Sequence, residues 1–253
     1  INFGSFSFPL HSYGLMIALG FLSGIYTVRK LAARSGISPD LVADLAFWLL
    51  MWGFVGARVL YIITRWSEFM ASPMDMFRVW EGGLVFFGGL ISATAFAVYF
   101  FKKHNLPAWK MSGFLAPGVV VAHAFGRIGC FAAGCCYGRP TGEPWGMKFN
   151  SELVDASLRG IPLHPVQLYE SVSLFILFAG LIYIFKRKKF DGQVSITYFM
   201  IYPIIRSIVE MFRGDAIRGF VIQDVLSTSQ FISIFVFIGT LYLFMKRAKQ
   251  VKV

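Results

Sequence analysis

Long apolar runs broken by short polar clusters organise this chain from end to end. Seven such runs, each 17 to 24 residues long, lie near 12–28, 41–64, 83–101, 112–131, 167–185, 194–212 and 229–245. A helix rises about 1.5 Å per residue, so runs of this length suit a hydrocarbon layer about 30 Å thick. The breaks carry helix-starting and turn-forming residues: Ser38-Pro39-Asp40, Ser72-Pro73, Leu106-Pro107, Pro140 to Pro144 and Asp191-Gly192. No internal repeat is visible. The pattern predicts an all-α integral membrane protein, with about seven transmembrane helices in a single polytopic domain over 1–253. Residues 132–166 are the exception. Gly138-Arg139-Pro140-Thr141-Gly142-Glu143-Pro144-Trp145 is too polar and too rich in Pro and Gly to span, and reads as a loop or arm over a site.

Composition agrees: 57% of the 253 residues are hydrophobic, only 15% are charged, and the mean hydropathy is +0.64. The formal charge of +11 invites a nucleic-acid reading. Its placement excludes one, because the basic residues sit in short clusters between apolar runs. Fourteen lysines and arginines follow the first, third, fifth and seventh runs, against seven on the other side, among them Arg65, Arg139, Arg213 and Arg218. The positive-inside rule then puts the N-terminus outside, the C-terminus (with Lys252) in the cytoplasm, and 132–166 on the outer face. No basic stretch precedes the first apolar run, so that run is expected to stay as a helix rather than be cleaved as a signal peptide.

Three charges fall inside the apolar runs: Arg58, Arg127 and Arg206. Each costs about 2.5 to 3.5 kcal/mol in mid-membrane, roughly 8 to 10 kcal/mol together. A buried anion would explain them, and a lipid phosphate is the commonest one available.

The densest constellation runs from His123 to Gly138. His123 and Arg127 are four apart and share a helix face. Gly126, Gly129, Gly134 and Gly138 allow close approach and free N–H groups, so a guanidinium among them makes a phosphate site. The plainer reading is a glycine-packed crossing with a snorkelling arginine. A second constellation is His164-Pro-Val-Gln167-Leu-Tyr-Glu170, where the chain re-enters the membrane. Here Glu170 is either a salt-bridge partner for an arginine or part of the chemistry. In the third, Tyr202-Pro203-Ile-Ile-Arg206-Ser-Ile-Val-Glu210-Met-Phe-Arg213, Arg206 and Glu210 form an i,i+4 pair that a structural role would also explain. Pro203 frees a carbonyl in mid-run. Lesser signals are His11-Ser-Tyr13-Gly14, Gly53-x-x-Gly56-Ala-Arg58 with Tyr61, and Gly82-Gly-Leu-Val-Phe-Phe87-Gly88-Gly89. His11 and Tyr13 also suit a water interface, and the paired glycines also suit helix packing.

The three cysteines, Cys130, Cys135 and Cys136, lie within seven residues and form no disulfide framework. The C-x4-C-C spacing is poor for one zinc ion, because adjacent cysteines rarely ligate together. No metal and no cofactor is expected. A thiol pair on an oxidising face is the other chemical reading, and small apolar packing residues the plain one.

Six of these fragments, in this order and at these distances, resemble the prolipoprotein diacylglyceryl transferases across nearly the whole chain. The resemblance implies seven spans in the bacterial inner membrane and an active site facing the outer leaflet. It implies transfer of the diacylglyceryl group from phosphatidylglycerol to the lipobox cysteine of prolipoprotein signal peptides, with release of glycerol phosphate. Arg127 matches the family's essential arginine and Arg206 its second important one. Both are expected on the phosphate, with Tyr13 and His11 in the same cavity. Arg58, Gly129, Gly138, Gln167, Glu170, Glu210 and Arg213 are expected to bind substrate or line the site.

The chain departs from the family where Phe87 replaces a histidine, Cys130 an asparagine and Cys135 a glutamate, and an aspartate is missing near Gly113. His123 is the candidate for the missing imidazole. His11, Glu170 and an already ionised acceptor thiol are the alternatives. The rival readings are a paralogue acting on another thiol or lipid, a phospholipid-binding or lipid-moving protein without chemistry, and a thiol–disulfide oxidoreductase.

Overall fold

Helices begin where local chemistry lets them. In the computed structural model, residues 2–3, 6–7, 12–78, 82–214, 219–222 and 226–250 are described. His11, Arg218 and Lys252 lie outside the described residues. The helices are α1 (Ser12–Arg34), α2 (Pro39–Thr64), α3 (Trp66–Ala71), α4 (Phe86–Lys103), α5 (Ala108–Ala133), α6 (Val166–Arg187), α7 (Gln193–Glu210) and α8 (Thr228–Gln250). Ser38 caps α2 by accepting the Asp40 N–H at 3.3 Å, and Pro39 takes the first turn. The run expected from residue 83 starts its helix only at Phe86. Gly82 and Gly83 hold φ of 92° and 77°, which no right-handed helix accommodates.

Among the described residues five helices, α1, α2, α5, α6 and α8, are long and apolar enough to cross a membrane. Many large apolar side chains are exposed while several polar and charged ones are buried. Leu22, Phe86, Ile176 and Phe235 face outward, whereas Gln167, Glu170, Glu210 and Arg58 are buried. Apolar surface needs no cover in lipid, but polar groups do. The described strands are short antiparallel ribbons: β1 (Asn2–Phe3) with β2 (Phe6–Ser7), β3 (Met147–Lys148) with β4 (Pro162–Leu163), and β5 (Phe220–Ile222) with β6 (Leu226–Ser227).

The chain forms two compact units, Arg29–Met111 and Ile1–Val28 with Ser112–Val253. In the first unit α2 and α4 run antiparallel in close contact. A Cβ on Gly88 would lie 2.3 Å from the Gly56 carbonyl oxygen, and one on Gly89 2.8 Å from that of Gly53. Beyond them Ser92 Oγ donates to the Trp52 carbonyl at 2.6 Å. Phe87 lies on the outward face of α4, edge-on to Phe86.

In the second unit α1 crosses α5 through small residues. A Cβ on Gly24 would sit 2.9 Å from the Gly118 oxygen, and one on Gly20 2.9 Å from the Ala122 oxygen. α7 packs on both α6 and α8. Pro203 has no N–H to give the Phe199 carbonyl; Thr240 Oγ1 of α8 lies 3.3 Å from that oxygen, and its shorter contacts run to the Val236 and Phe237 carbonyls of its own helix at 2.7 and 3.1 Å. The segment between α5 and α6 has its own small core of Tyr137, Phe149, Val154 and Leu163. Gly138 N–H donates to the His164 carbonyl within the segment at 3.0 Å, and two backbone bonds stitch it to the chain just after α7: Arg139 N–H to Phe212 at 2.9 Å and Gly214 N–H to Tyr137 at 3.3 Å. Trp145 Nε1 pins the segment to the Tyr169 hydroxyl of α6 at 2.8 Å.

Candidate functional site

Glu170 sits one turn into α6 with its side chain only 2% exposed. A carboxylate so placed costs several kcal/mol unless it is paired, by roughly the penalty of taking an ion from water. Three residues from two other helices meet it. Arg127 of α5 brings Nε to 3.0 Å from Oε2. Tyr202 of α7 donates its hydroxyl to Oε1 at 3.2 Å. His123 of α5 places Nε2 3.7 Å from the same oxygen. The His123 ring also stands edge-on to Tyr202, with centroids 5.4 Å apart. The α5 pair, four residues apart, thus converges on one carboxylate.

The Arg127 contact is Coulombic, because Nε–H does not point at the carboxylate and makes no hydrogen bond. Among the described residues its two terminal nitrogens have no hydrogen-bond partner either. Arg206 repeats the arrangement on α7. Its Nη2 lies 2.7 Å from Glu210 Oε2, and its Nη1 is buried without a hydrogen-bond partner among the described residues. Both guanidinium groups lie near enough to act electrostatically on His123 and Tyr202. Buried donors left open cost about 1 to 3 kcal/mol each, and more when charged. An anion with several oxygens would satisfy them together.

The remaining predicted residues fall into two groups. Tyr13 leans over Gly129, where a Cβ would lie 3.2 Å from its ring, so this glycine admits the aromatic to the Arg127 end of α5. Gln167, 1% exposed, donates Nε2 to the Cys135 carbonyl at 2.7 Å and holds the turn after α5. Gly138 is a packing position, since a Cβ there would meet His164 Cβ and its carbonyl oxygen at 2.5 Å. Arg213 bridges Gly138 through the backbone.

Arg58 belongs to the other unit, and its five N–H groups are already engaged. Nε meets the Met76 carbonyl at 3.0 Å, Nη1 those of Gly82 and Gly83 at 2.7 and 3.1 Å, and Nη2 those of Asp75 and Arg78 at 2.7 and 3.3 Å. Five donors on five carbonyls complete the guanidinium's capacity. The left-handed Gly83 lets the loop come that close, because a Cβ there would lie 2.7 Å from Arg58 Nη1.

The sequence model of the prolipoprotein diacylglyceryl transferases matches residues 1–246. The chain belongs to that family. It is similar to the phosphatidylglycerol–prolipoprotein diacylglyceryl transferase of Clostridium tetani, with 36% identity covering 96% of each chain. The enzyme of that name in Finegoldia magna is 34% identical over 99% of this chain and 96% of its own. A second enzyme of Clostridium perfringens bearing the name is 34% identical over 94% and 91%.

Within this transferase-family chain, residues absent from the sequence-based site complete the geometry. Tyr202 shares the carboxylate with Arg127, and Tyr198 stacks on Tyr202 with ring centroids 5.7 Å apart. Ser171 donates to the Ala124 carbonyl at 3.0 Å and ties α6 to α5. The signal for the tyrosines was spacing: Tyr198, Tyr202, Arg206 and Glu210 recur every four residues along α7.

Proposed function

We propose that this chain transfers the diacylglyceryl group of phosphatidylglycerol to the lipobox cysteine of prolipoproteins, at the outer leaflet of the bacterial inner membrane. In this reading α4 and α7 span alongside the five longer apolar helices, giving seven spans with the N-terminus outside and the C-terminus in the cytoplasm. The acceptor sulfur attacks the glycerol carbon of the lipid. A C–S bond forms and the C–O bond to phosphate breaks. The bonding pair leaves on oxygen as glycerol phosphate, and the thiol proton passes to a base.

Such a reaction needs fixed positive charge where negative charge builds up on the departing oxygen. Arg127 and Arg206 supply it. The observation that carries this is that each is held by a buried carboxylate through one nitrogen while other donors stay open. His123 takes the thiol proton, and Glu170 beside it stabilises the imidazolium that results. Tyr13 lines the cavity over Gly129, and His11 precedes it by two residues.

The test is a mass shift. Purified protein in detergent is mixed with phosphatidylglycerol and a synthetic lipobox peptide, beside an Arg127→Ala control. One thioether-linked diacylglyceryl group on the peptide cysteine, lost in the control, is expected. Tight lipid binding without an adduct would refute the transferase reading. Full activity of His123→Ala would refute the role given to the imidazole.

A further inference from the structure

The turn that follows α5 gathers all three cysteines. The sulfur atoms of Cys130, Cys135 and Cys136 lie within 4.8 Å of one another, and each residue is only partly buried. Sequence spacing argues against this, since neighbouring side chains ordinarily point apart. Two left-handed residues overcome it. Gly134 at φ 74° ends the helix and Cys136 at φ 57° swings its thiol back toward the other two. A cysteine in that region is uncommon, because glycine and asparagine tolerate it far better. We propose that Cys130, Cys135 and Cys136 form a three-sulfur site for one thiophilic closed-shell cation of the zinc, cadmium or copper(I) class.

Geometry and charge both support it. Sulfurs around a tetrahedral ion at about 2.3 Å lie roughly 3.8 Å apart, so closing the present cluster takes about 1 Å or less. Three soft donors without nitrogen or carboxylate select such ions over magnesium or calcium. A divalent ion that displaces the three thiol protons leaves a site with one net negative charge, and Arg127 and Arg213 lie near enough to Cys136 to offset it.

The site is separate from the proposed chemistry but adjoins it. Cys130 is three residues after Arg127, and the Cys135 carbonyl holds Gln167. A bound ion would lock the turn that follows α5 and presents the Cys135 carbonyl to Gln167.

The test uses the whole reduced protein in detergent and cadmium as probe. Thiolate-to-metal absorbance is expected to saturate at about one ion per chain. Cadmium should also protect the three thiols from alkylation, counted by mass. Cys136→Gly removes one sulfur at a backbone angle that suits glycine, so it should fold and bind at least tenfold more weakly. Cys130→Ser and Cys135→Ser should do the same. Absence of the band, unprotected thiols, or equal binding by the Cys136→Gly protein would overturn the proposal. So would an intramolecular disulfide in protein isolated without oxidant, which would make the cluster a redox pair.

Discussion

Glu170→Gln isolates what the buried carboxylate does for Arg127. The substitution keeps volume and one acceptor oxygen for the Tyr202 hydroxyl, and it removes the charge. With side chains 16% and 2% exposed, Arg127 and Glu170 are poorly screened by water. At 3.0 Å and an effective dielectric near 20, the attraction is about 5 kcal/mol. Removing one partner of a buried pair typically costs about 3 to 5 kcal/mol, because the other charge is left uncompensated. The retained amide oxygen puts Gln at the lower end, near 3 kcal/mol, or roughly 100-fold in the population of correctly held Arg127. Thioether formation on a lipobox peptide should fall by about that factor in kcat/KM.

Thermal unfolding in detergent gives an independent reading. In a chain of this length each kcal/mol moves Tm by about 2 to 4 °C, so a drop of roughly 6 to 12 °C is expected. The Arg127→Ala/Glu170→Ala double variant should lose less stability than its two single variants combined, by at least about 2 kcal/mol, since neither charge is then stranded. Additivity within about 0.5 kcal/mol would show that the two groups do not act on each other. Wild-type turnover in Glu170→Gln would refute the view that this carboxylate sets up the arginine.

Other parts of the molecule make equally definite claims. Arg58→Lys cannot reach five carbonyls with three donors, so Tm should fall and hydrogen exchange should quicken across 75–83; unchanged exchange would remove Arg58 as the organiser of that loop. Gly138→Ala forces a Cβ to within 2.5 Å of His164 and should loosen the stitch to α7, seen as faster proteolysis near Trp145. Asp155 is held below its ordinary 3.8 by hydrogen bonds from the Ser157 hydroxyl and backbone N–H. Its folded-state value is the lower one, so this support is present above about pH 4 and fades as pH falls further, and Asp155→Asn should abolish that acid dependence of exchange near 156–158.

Three arginines carried the same sequence signal, a charge inside an apolar run, and they came to different ends. Arg58 completes its hydrogen bonding on backbone, whereas Arg127 and Arg206 each lean on a carboxylate and keep donors open. The difference was invisible along the chain because it depends on where remote backbone passes. The carbonyls that take up Arg58 come from 17 to 25 residues away, on a loop whose left-handed Gly82 and Gly83 permit the close approach. Helix positions were legible because apolar run length is a local property, as in α5, where 112–131 was expected and Ala108–Ala133 is found. The Arg206–Glu210 pair was legible for the same reason, being one helical turn. Arg127 with Glu170, and Tyr202 with the same acid 32 residues away, were not, since periodicity says which face a residue is on but not which face it meets. The cysteine cluster is the sharpest case. Adjacency in sequence argued against a shared site, yet left-handed backbone at Gly134 and Cys136 accompanies three sulfurs within 4.8 Å of one another. Local patterns thus locate charges that need a reason. Only the packing decides whether the reason is the protein's own backbone or something it must bind.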